Sequence, residues 1–131
     1  MRKQQSGFTL IELVVVIVIL GILAAVAIPR FINLSDEAEL AALQGMAGGL
    51  SSAMAINYAG CAAKNNVVTA NKCVAVVNCT DGAALLTTPI TGYTLSGGVI
   101  AGVAGTTAVC TVTKTATPAI NTTFTGIRAG P

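Results

Sequence analysis

The sequence predicts an α+β fold, in which one long N-terminal helix packs against a small antiparallel β-sheet. A nearly uninterrupted apolar run extends from Phe8 to Ile28, and apolar residues with helical spacing continue to Tyr58. From Gly60 onward the composition changes to short β-branched runs separated by turn residues, which is typical of strands. All four cysteines follow the apolar run, in the part of the chain that is expected to form the sheet.

The apolar run is long enough to cross a membrane as a helix. It contains about 20 residues and would rise roughly 30 Å, the thickness of the hydrocarbon core of a bilayer. Arg2 and Lys3 lie directly before it, which places the N-terminus in the cytoplasm and the rest of the chain outside. Glu12 is the one charged residue in the run, and a carboxylate there costs about 2.5–3.5 kcal/mol on insertion scales. It therefore needs a partner or a function.

A secretory signal peptide is the alternative interpretation of this segment, since Ala24, Ala25 and Ala27 resemble a small-residue cleavage site. The apolar stretch is longer than the apolar region of a usual signal peptide. A short polar segment that ends in Gly7 precedes Phe8, which favours cleavage before the apolar run rather than after it.

The segment Gly7-Phe8-Thr9-Leu10-Ile11-Glu12-Leu13 resembles the prepilin motif of type IV pilins and type II secretion pseudopilins, and the similarity extends to about residue 55. The resemblance implies that a prepilin peptidase cleaves between Gly7 and Phe8 and methylates the new amino group of Phe8. It further implies that Glu12 pairs with the N-terminus of Phe8 in a neighbouring subunit. An opposite charge in a medium of low dielectric constant is a strong contact that would set the register between subunits.

Cleavage at that bond would also change the charge of the chain. It would remove Arg2 and Lys3 and lower the side-chain balance from +2 to zero, with five bases against five acids. A neutral chain has no long-range field that attracts nucleic acid, so nucleic-acid binding by simple electrostatics is not expected.

Gly21 and Pro29 weaken the predicted helix, because glycine has a low helix propensity and proline lacks a backbone donor. One interpretation is a kinked but continuous membrane helix. The resemblance implies a second, in which the segment between these two residues loses helical hydrogen bonds in the assembled filament and allows it to stretch. The two interpretations are compatible, because they concern different states.

Residues 30–59 are expected to form the second, amphipathic half of the helix. Ser35 offers an N-cap-like oxygen, and Asp36 and Glu37 are acids of the kind found near a helix N-terminus. One apolar stripe would face the sheet, and it comprises Leu43, Ala47, Leu50, Met54 and Tyr58. A helix from Thr9 to Ala59 would be roughly 75 Å long. Such a helix is longer than a small domain, so its exposed apolar half predicts polymerisation.

Residues 60–131 are expected to form a β-sheet head, with turns at Asp81-Gly82, Thr88-Pro89, Thr91-Gly92 and Ser96-Gly97-Gly98. The candidate strands are Cys73–Asn78, Tyr93–Ser96, Val99–Val103, Ala108–Thr115 and Asn121–Thr125.

The four cysteines of this head, in an exported region, predict disulfides. Three pairings are possible. We favour Cys61–Cys73, which would close the loop that leaves the helix, together with Cys79–Cys110, which would cross-link two strands. A metal site is disfavoured, because the chain has no CxxC pair and no histidine.

Catalysis has no support in the sequence. The cysteines are expected to be oxidised, and no base lies beside a serine or threonine at a recognisable spacing. We therefore assign no catalytic, cofactor-binding or metal-binding residue and predict a structural protein rather than an enzyme.

The resemblance implies a type IV pilin of the type IVa kind, a major subunit whose leader and Ser35-Asp36-Glu37 segment look like the mannose-sensitive haemagglutinin group. Residues 1–7 would form the leader, 8–29 the transmembrane and polymerisation helix, 30–59 the amphipathic half and 60–131 the head. Implied partners are identical subunits, the prepilin peptidase and the inner-membrane assembly machinery. The chain would cross the inner membrane once and then join a surface pilus used for adhesion, twitching motility or DNA uptake.

Two other functions are compatible with the sequence. A type II secretion pseudopilin shares the N-terminal motif, and the four cysteines and the scarcity of acids in the head argue against it. A monomeric, membrane-anchored binding or enzymatic domain would leave the burial of Glu12 unexplained.

Overall fold

The structure is a computed structural model that describes residues 7–116 and 119–131. The expected leader therefore lies outside the described residues except for Gly7, and so do Arg2 and Lys3, from which the orientation in the membrane is predicted. The described chain has an α+β fold, with one long helix, a short 3₁₀ helix and a three-stranded antiparallel sheet.

The helix α1 extends over Leu10–Ala62, which is 53 residues. It begins one residue later and ends three residues later than the Thr9–Ala59 span predicted from the sequence. Pro29 lies inside it, as the continuous-helix interpretation requires. The expected N-cap at Ser35 is wrong, because the residues on both sides of Ser35 are already helical.

The chain divides into two compact units, with the boundary between Ala38 and Glu39. In the first unit the large apolar side chains of α1 between Leu10 and Ile28 are exposed, from 38% for Val14 to 81% for Leu10. By length and composition, α1 can cross a membrane near its N-terminus. These side chains have no cover within the described part of their unit, so they require lipid or other protein chains around them.

In the second unit, Glu39–Pro131, the last part of α1 packs against the sheet. Leu43, Ala47, Leu50 and Met54 are buried, and Tyr58 packs against them, as the apolar stripe predicted. The inner face of the sheet contributes Cys110, Val112 and Phe124 to the same core. An ion pair between Glu39 Oε2 and Lys114 Nζ, 2.6 Å apart, also joins α1 to the end of a strand.

The sheet has the order β1-β2-β3, with β1 over Tyr93–Ser96, β2 over Thr107–Lys114 and β3 over Asn121–Ile127. Leu95 of β1 lies opposite Val112 of β2, and Cys110 of β2 lies opposite Phe124 of β3. Three of the candidate strands are therefore confirmed, with their bounds shifted by up to two residues.

The candidate strands Cys73–Asn78 and Val99–Val103 are wrong. These segments form single bridges, in which Val76 pairs with Ala129 and Asn78 pairs with Val99. For Cys73–Asn78 the physical reason lies in Asp81, whose carboxylate accepts hydrogen bonds from the backbone N–H groups of Val77 and Asn78, each at 2.8 Å. Those donors are satisfied by a side chain instead of a neighbouring strand.

The structure contains the two disulfides that the sequence favoured, Cys61–Cys73 and Cys79–Cys110, with Cα atoms 5.3 and 5.4 Å apart. The first joins the last turn of α1 to the loop that follows it. The second differs from expectation in its elements, because Cys79 is the first residue of the 3₁₀ helix Cys79–Leu85 rather than part of a strand. It joins that helix to β2.

Candidate assembly site

The N-terminal end of α1 is built around a reciprocal contact between Thr9 and Glu12. Thr9 directly precedes the first helical residue, so it is the N-cap, and Glu12 is the third helical residue. The Thr9 hydroxyl oxygen accepts a hydrogen bond from the Glu12 backbone N–H at 3.4 Å. In return, Glu12 Oε2 accepts from the Thr9 N–H at 2.9 Å and from the Thr9 hydroxyl at 2.6 Å. This arrangement is a capping box, which satisfies donors that the start of a helix leaves unpaired.

The capping box gives the Glu12 carboxylate a partner within its own chain. Both bonds end on the same oxygen, Oε2. Within the described residues the second oxygen, Oε1, is left to accept a hydrogen bond or an ion pair from another molecule. The carboxylate also lies near the positive end of the helix macrodipole.

Apolar side chains surround this carboxylate. Phe8, Ile11, Val15 and Val16 line a shallow groove in which Glu12 is the polar group. Phe8 is 83% exposed and lies before the first helical residue. A second apolar helix placed in this groove would cover these side chains and lower the dielectric constant around Glu12, which would strengthen any charge pair formed there.

The peptide bond between Gly7 and Phe8 lies before α1, outside the hydrogen-bonded helix, and both residues are exposed. Around Gly7 there is open space for a side chain. Packing within the described chain therefore gives no reason for glycine at this position.

Gly21 and Pro29, the two residues expected to weaken the helix, both lie inside α1. A side chain at position 21 would meet open space. Pro29 cannot donate to the carbonyl of the preceding turn, so the backbone hydrogen bonding of α1 has a gap there even in a continuous helix.

Thr9 belongs to this site although, unlike Glu12, it is not marked out by a charge within the apolar run. The pattern Thr-x-x-Glu directly before an apolar run is the sequence signature of a capping box and could have identified the pair. Within residues 7–116 and 119–131 there is no group of three or more His, Cys, Asp or Glu side chains that could bind a metal ion.

The N-terminal segment has relatives among known proteins. A family described as "Prokaryotic N-terminal methylation motif" matches residues 2–28. The chain is 56% identical over 51 residues to the type IV narrow pilus major component PilA5 of Thermus thermophilus, a match that covers 39% of this chain and 44% of that protein. No solved structure matches the chain.

Other relatives include secretion and fimbrial proteins. Core protein G of the type II secretion system of Pseudomonas aeruginosa is 47% identical over 53 residues, 40% of this chain and 37% of that protein. The type IV major fimbrial protein FimA of Dichelobacter nodosus is 41% identical over 54 residues, 41% of this chain and 35% of that protein. The chain thus matches less than half of the length of these relatives. The N-terminal segment of the chain is therefore similar to the prokaryotic methylation motif and, over about two fifths of the chain, to type IV pilus and fimbrial proteins and to a type II secretion protein.

Proposed function

We propose that this chain is a structural subunit of a type IV pilus filament, and not an enzyme. The observation that supports this most strongly is the first unit, in which a helix of membrane-spanning length exposes nearly all of its apolar side chains. Lipid would cover them before assembly, and the helices of neighbouring copies would cover them in the filament. Residues 8–29 would form this polymerisation helix, 30–59 the amphipathic half and 60–131 the outward-facing head.

Glu12 would set the register between subunits. Cleavage after Gly7 would create a positively charged amino group on Phe8, which methylation would keep charged. This group would pair with Glu12 of a neighbouring subunit, in place of or in addition to the contact with Thr9. A charge pair between apolar helices favours the one axial offset that brings the charges together, because every other offset leaves a buried charge without a partner.

Gly21 and Pro29 would allow α1 to change during assembly. A helix segment that already lacks a hydrogen bond at Pro29 and has low propensity at Gly21 unwinds at a lower cost than its surroundings. We expect this segment to lose helical hydrogen bonds in the filament and to allow the filament to stretch.

Two of the relatives are named as major pilus or fimbrial components, which supports the proposal that this chain is a major subunit. We propose that it is a pilin of the type IVa kind, in the mannose-sensitive haemagglutinin group. Before assembly the chain would cross the inner membrane once, with its N-terminus in the cytoplasm. The prepilin peptidase and the inner-membrane assembly machinery would be its partners there. The pilus would then act in adhesion, twitching motility or DNA uptake.

A pseudopilin of type II secretion is the second candidate, because core protein G of such a system is among the relatives. The two functions differ in the length and location of the assembly. Long surface fibres indicate a pilin, and short periplasmic assemblies indicate a pseudopilin.

Shearing the surface of the source cell and measuring the N-terminal peptide by mass spectrometry tests the proposal. We expect a fibre-derived peptide that begins with N-methylated Phe8. Finding the chain only in the membrane, with its residues before Phe8 still attached, would contradict processing and assembly together and would favour the anchored monomer.

A further inference from the structure

The outer face of the three-stranded sheet bears rows of hydroxyl groups. Successive side chains of a strand point to opposite faces, and residues directly opposite each other on neighbouring strands share a face. The inner face holds the core residues Cys110, Val112 and Phe124. The strand register then places two complete rows on the outer face: Thr94 and Thr113 with the carboxamide of Asn121 in one, and Ser96, Thr111 and Thr123 in the other.

The same register extends this outer face by two shorter rows. Val109 lies opposite Thr125, and Thr107 lies opposite Ile127. Neighbouring strands are about 4.8 Å apart, and residues on one face of a strand repeat about every 6.8 Å. The hydroxyls thus form a regular two-dimensional grid, which we call the hydroxyl face.

These hydroxyls are available to bind. Thr94, Ser96, Thr123 and Thr125 are exposed, and Thr111 is half-buried between its two neighbours. In the described part of the chain, the hydroxyls that have hydrogen-bond partners are others, those of Thr9, Ser51 and Thr69.

The hydroxyl face bears no ionisable side chain, because Lys114 of β2 belongs to the opposite face and pairs with Glu39 of α1. An uncharged face offers no electrostatic attraction to nucleic acid, to anionic lipid or to a charged peptide. Its size also excludes a folded protein as its partner. Three strands of this length cover about 300 Å², well below the roughly 800 Å² per partner of a stable protein interface.

From this chemistry we infer that the hydroxyl face binds a neutral polysaccharide. Threonine and serine hydroxyls both donate and accept hydrogen bonds, as sugar hydroxyls do, so the two surfaces are complementary without any charge. Val109, which is 77% exposed, and Ile127 place methyl groups on the same face, where they can contact the C–H groups of sugar rings.

One such face binds weakly, because each hydrogen bond to sugar replaces one to water and contributes little net free energy. Repetition supplies the affinity. In a filament the face would recur on every subunit, and linked sites bind a polymer far more tightly than a single site does. The biological role of the face thus rests on the proposed function, whereas the binding itself depends on the display of many copies.

The test uses the full chain reconstituted into phosphatidylcholine vesicles, which display many copies whether or not filaments form. Retention of the vesicles on microcrystalline cellulose is measured at low and high salt. We expect retention that does not depend on salt and that falls roughly tenfold in the double variant Thr111→Val, Thr123→Val. Valine keeps the branched shape that suits a strand, so the fold is retained while the hydroxyls are removed.

Two control variants isolate the hydroxyls of this face. Thr122→Val changes the neighbouring residue of β3, which lies on the inner face opposite Val112, and retention should stay unchanged. Thr111→Ser with Thr123→Ser keeps both hydroxyls and should bind nearly as the original chain does.

Several results would overturn the inference: no retention of the original chain, release by salt, equal retention of the double valine variant, or failure of the serine variant to bind. Filaments on the cell surface together with vesicles that do not bind would refute this inference and leave the proposed function standing. Bound vesicles without any filament on the cell surface would refute the proposed function but would still support polysaccharide binding by the hydroxyl face.

Discussion

Asn57 and Val74 are joined by two hydrogen bonds across the second unit. The Asn57 side-chain amide donates to the Val74 carbonyl, and its Oδ1 accepts from the Val74 backbone N–H, both at 2.9 Å. Asn57 is a buried polar side chain of α1, 8% exposed, and it satisfies the backbone of a segment that has no strand partner at this position. Together with the adjacent Cys61–Cys73 disulfide, it holds the loop after α1 in place.

We expect Asn57→Ala to lower the free energy of unfolding of the second unit by about 1–3 kcal/mol, since it leaves two backbone groups without partners. Urea unfolding of the full chain in mild detergent, followed by the fluorescence of Tyr58 and Tyr93, measures the change. Ser52→Ala is the matched control, because Ser52 is exposed on the same helix and should change little. Equal effects of the two variants would contradict a structural role for the Asn57 side chain.

Because Gly126 has no side chain, there is room beside it for the Cys79–Cys110 disulfide. A methyl group at this position would lie 2.5 Å from Cys110 Sγ and 2.9 Å from Ile100 Cδ1. Gly126→Ala should therefore destabilise the second unit by about 1–3 kcal/mol through overpacking. Gly98→Ala is the control, because a methyl group there meets open space. Thermal unfolding of both variants distinguishes them, and a Gly126→Ala variant as stable as Gly98→Ala would show that the core can rearrange.

The two disulfides should differ in their contribution to stability. They close loops with sequence separations of 31 and 12 residues. By the loop-entropy estimate, Cys79–Cys110 contributes about 3.7 kcal/mol and Cys61–Cys73 about 2.8 kcal/mol. Replacing each pair by alanine and comparing the urea midpoints tests this order. Peptide mapping under non-reducing conditions first establishes the pairing, and a Cys61–Cys110 link would contradict it.

Glu12→Val should abolish or disorder filament growth and leave membrane insertion intact. The variant removes the charge that would pair with a neighbouring Phe8, and an apolar residue inserts into lipid more readily than a carboxylate does. Sheared fibres are examined by electron microscopy, and the membrane fraction is examined for the unassembled chain. Leu13→Val, at the adjacent apolar position, is the control and should assemble normally. Fibres of normal length from Glu12→Val would support the anchored monomer instead.

Thr9→Val distinguishes the contact that Glu12 makes with Thr9 in its own chain from the proposed pairing with Phe8 of a neighbouring subunit. This change removes the hydroxyl that both accepts from the Glu12 N–H and donates to its carboxylate, and it leaves the charge in place. Loss of an N-cap costs about 1 kcal/mol of helix stability. We therefore expect filaments to form at a reduced rate, measured as fibre mass per cell over time. Complete loss of fibres, as expected for Glu12→Val, would show that the capping box itself is required for assembly.

The sequence alone is sufficient for the features that depend on nearby residues. The helix α1 follows from apolar periodicity. The lone charge of Glu12 within an apolar run indicates that it needs a partner, and it is the resemblance to the prepilin motif that implies Phe8 of a neighbouring subunit as that partner. The sequence favours the observed disulfide pairing but leaves the other two open, because Cys73 is closer in the chain to Cys79 than to Cys61. The capping box of Thr9 and Glu12 is within reach of the same local reasoning, since its two residues are three positions apart.

Tertiary structure decided the features that depend on residues far apart in the chain. The segment Cys73–Asn78 looks like a strand but is not one, because the Asp81 carboxylate accepts hydrogen bonds from the backbone donors of Val77 and Asn78. The rows of the hydroxyl face exist only through the register of three strands, in which Ser96, Thr111 and Thr123 become neighbours. Local periodicity determines whether a segment can be a strand. Which segment lies beside it depends on long-range packing against α1, and a pattern of neighbouring residues contains no information about that packing.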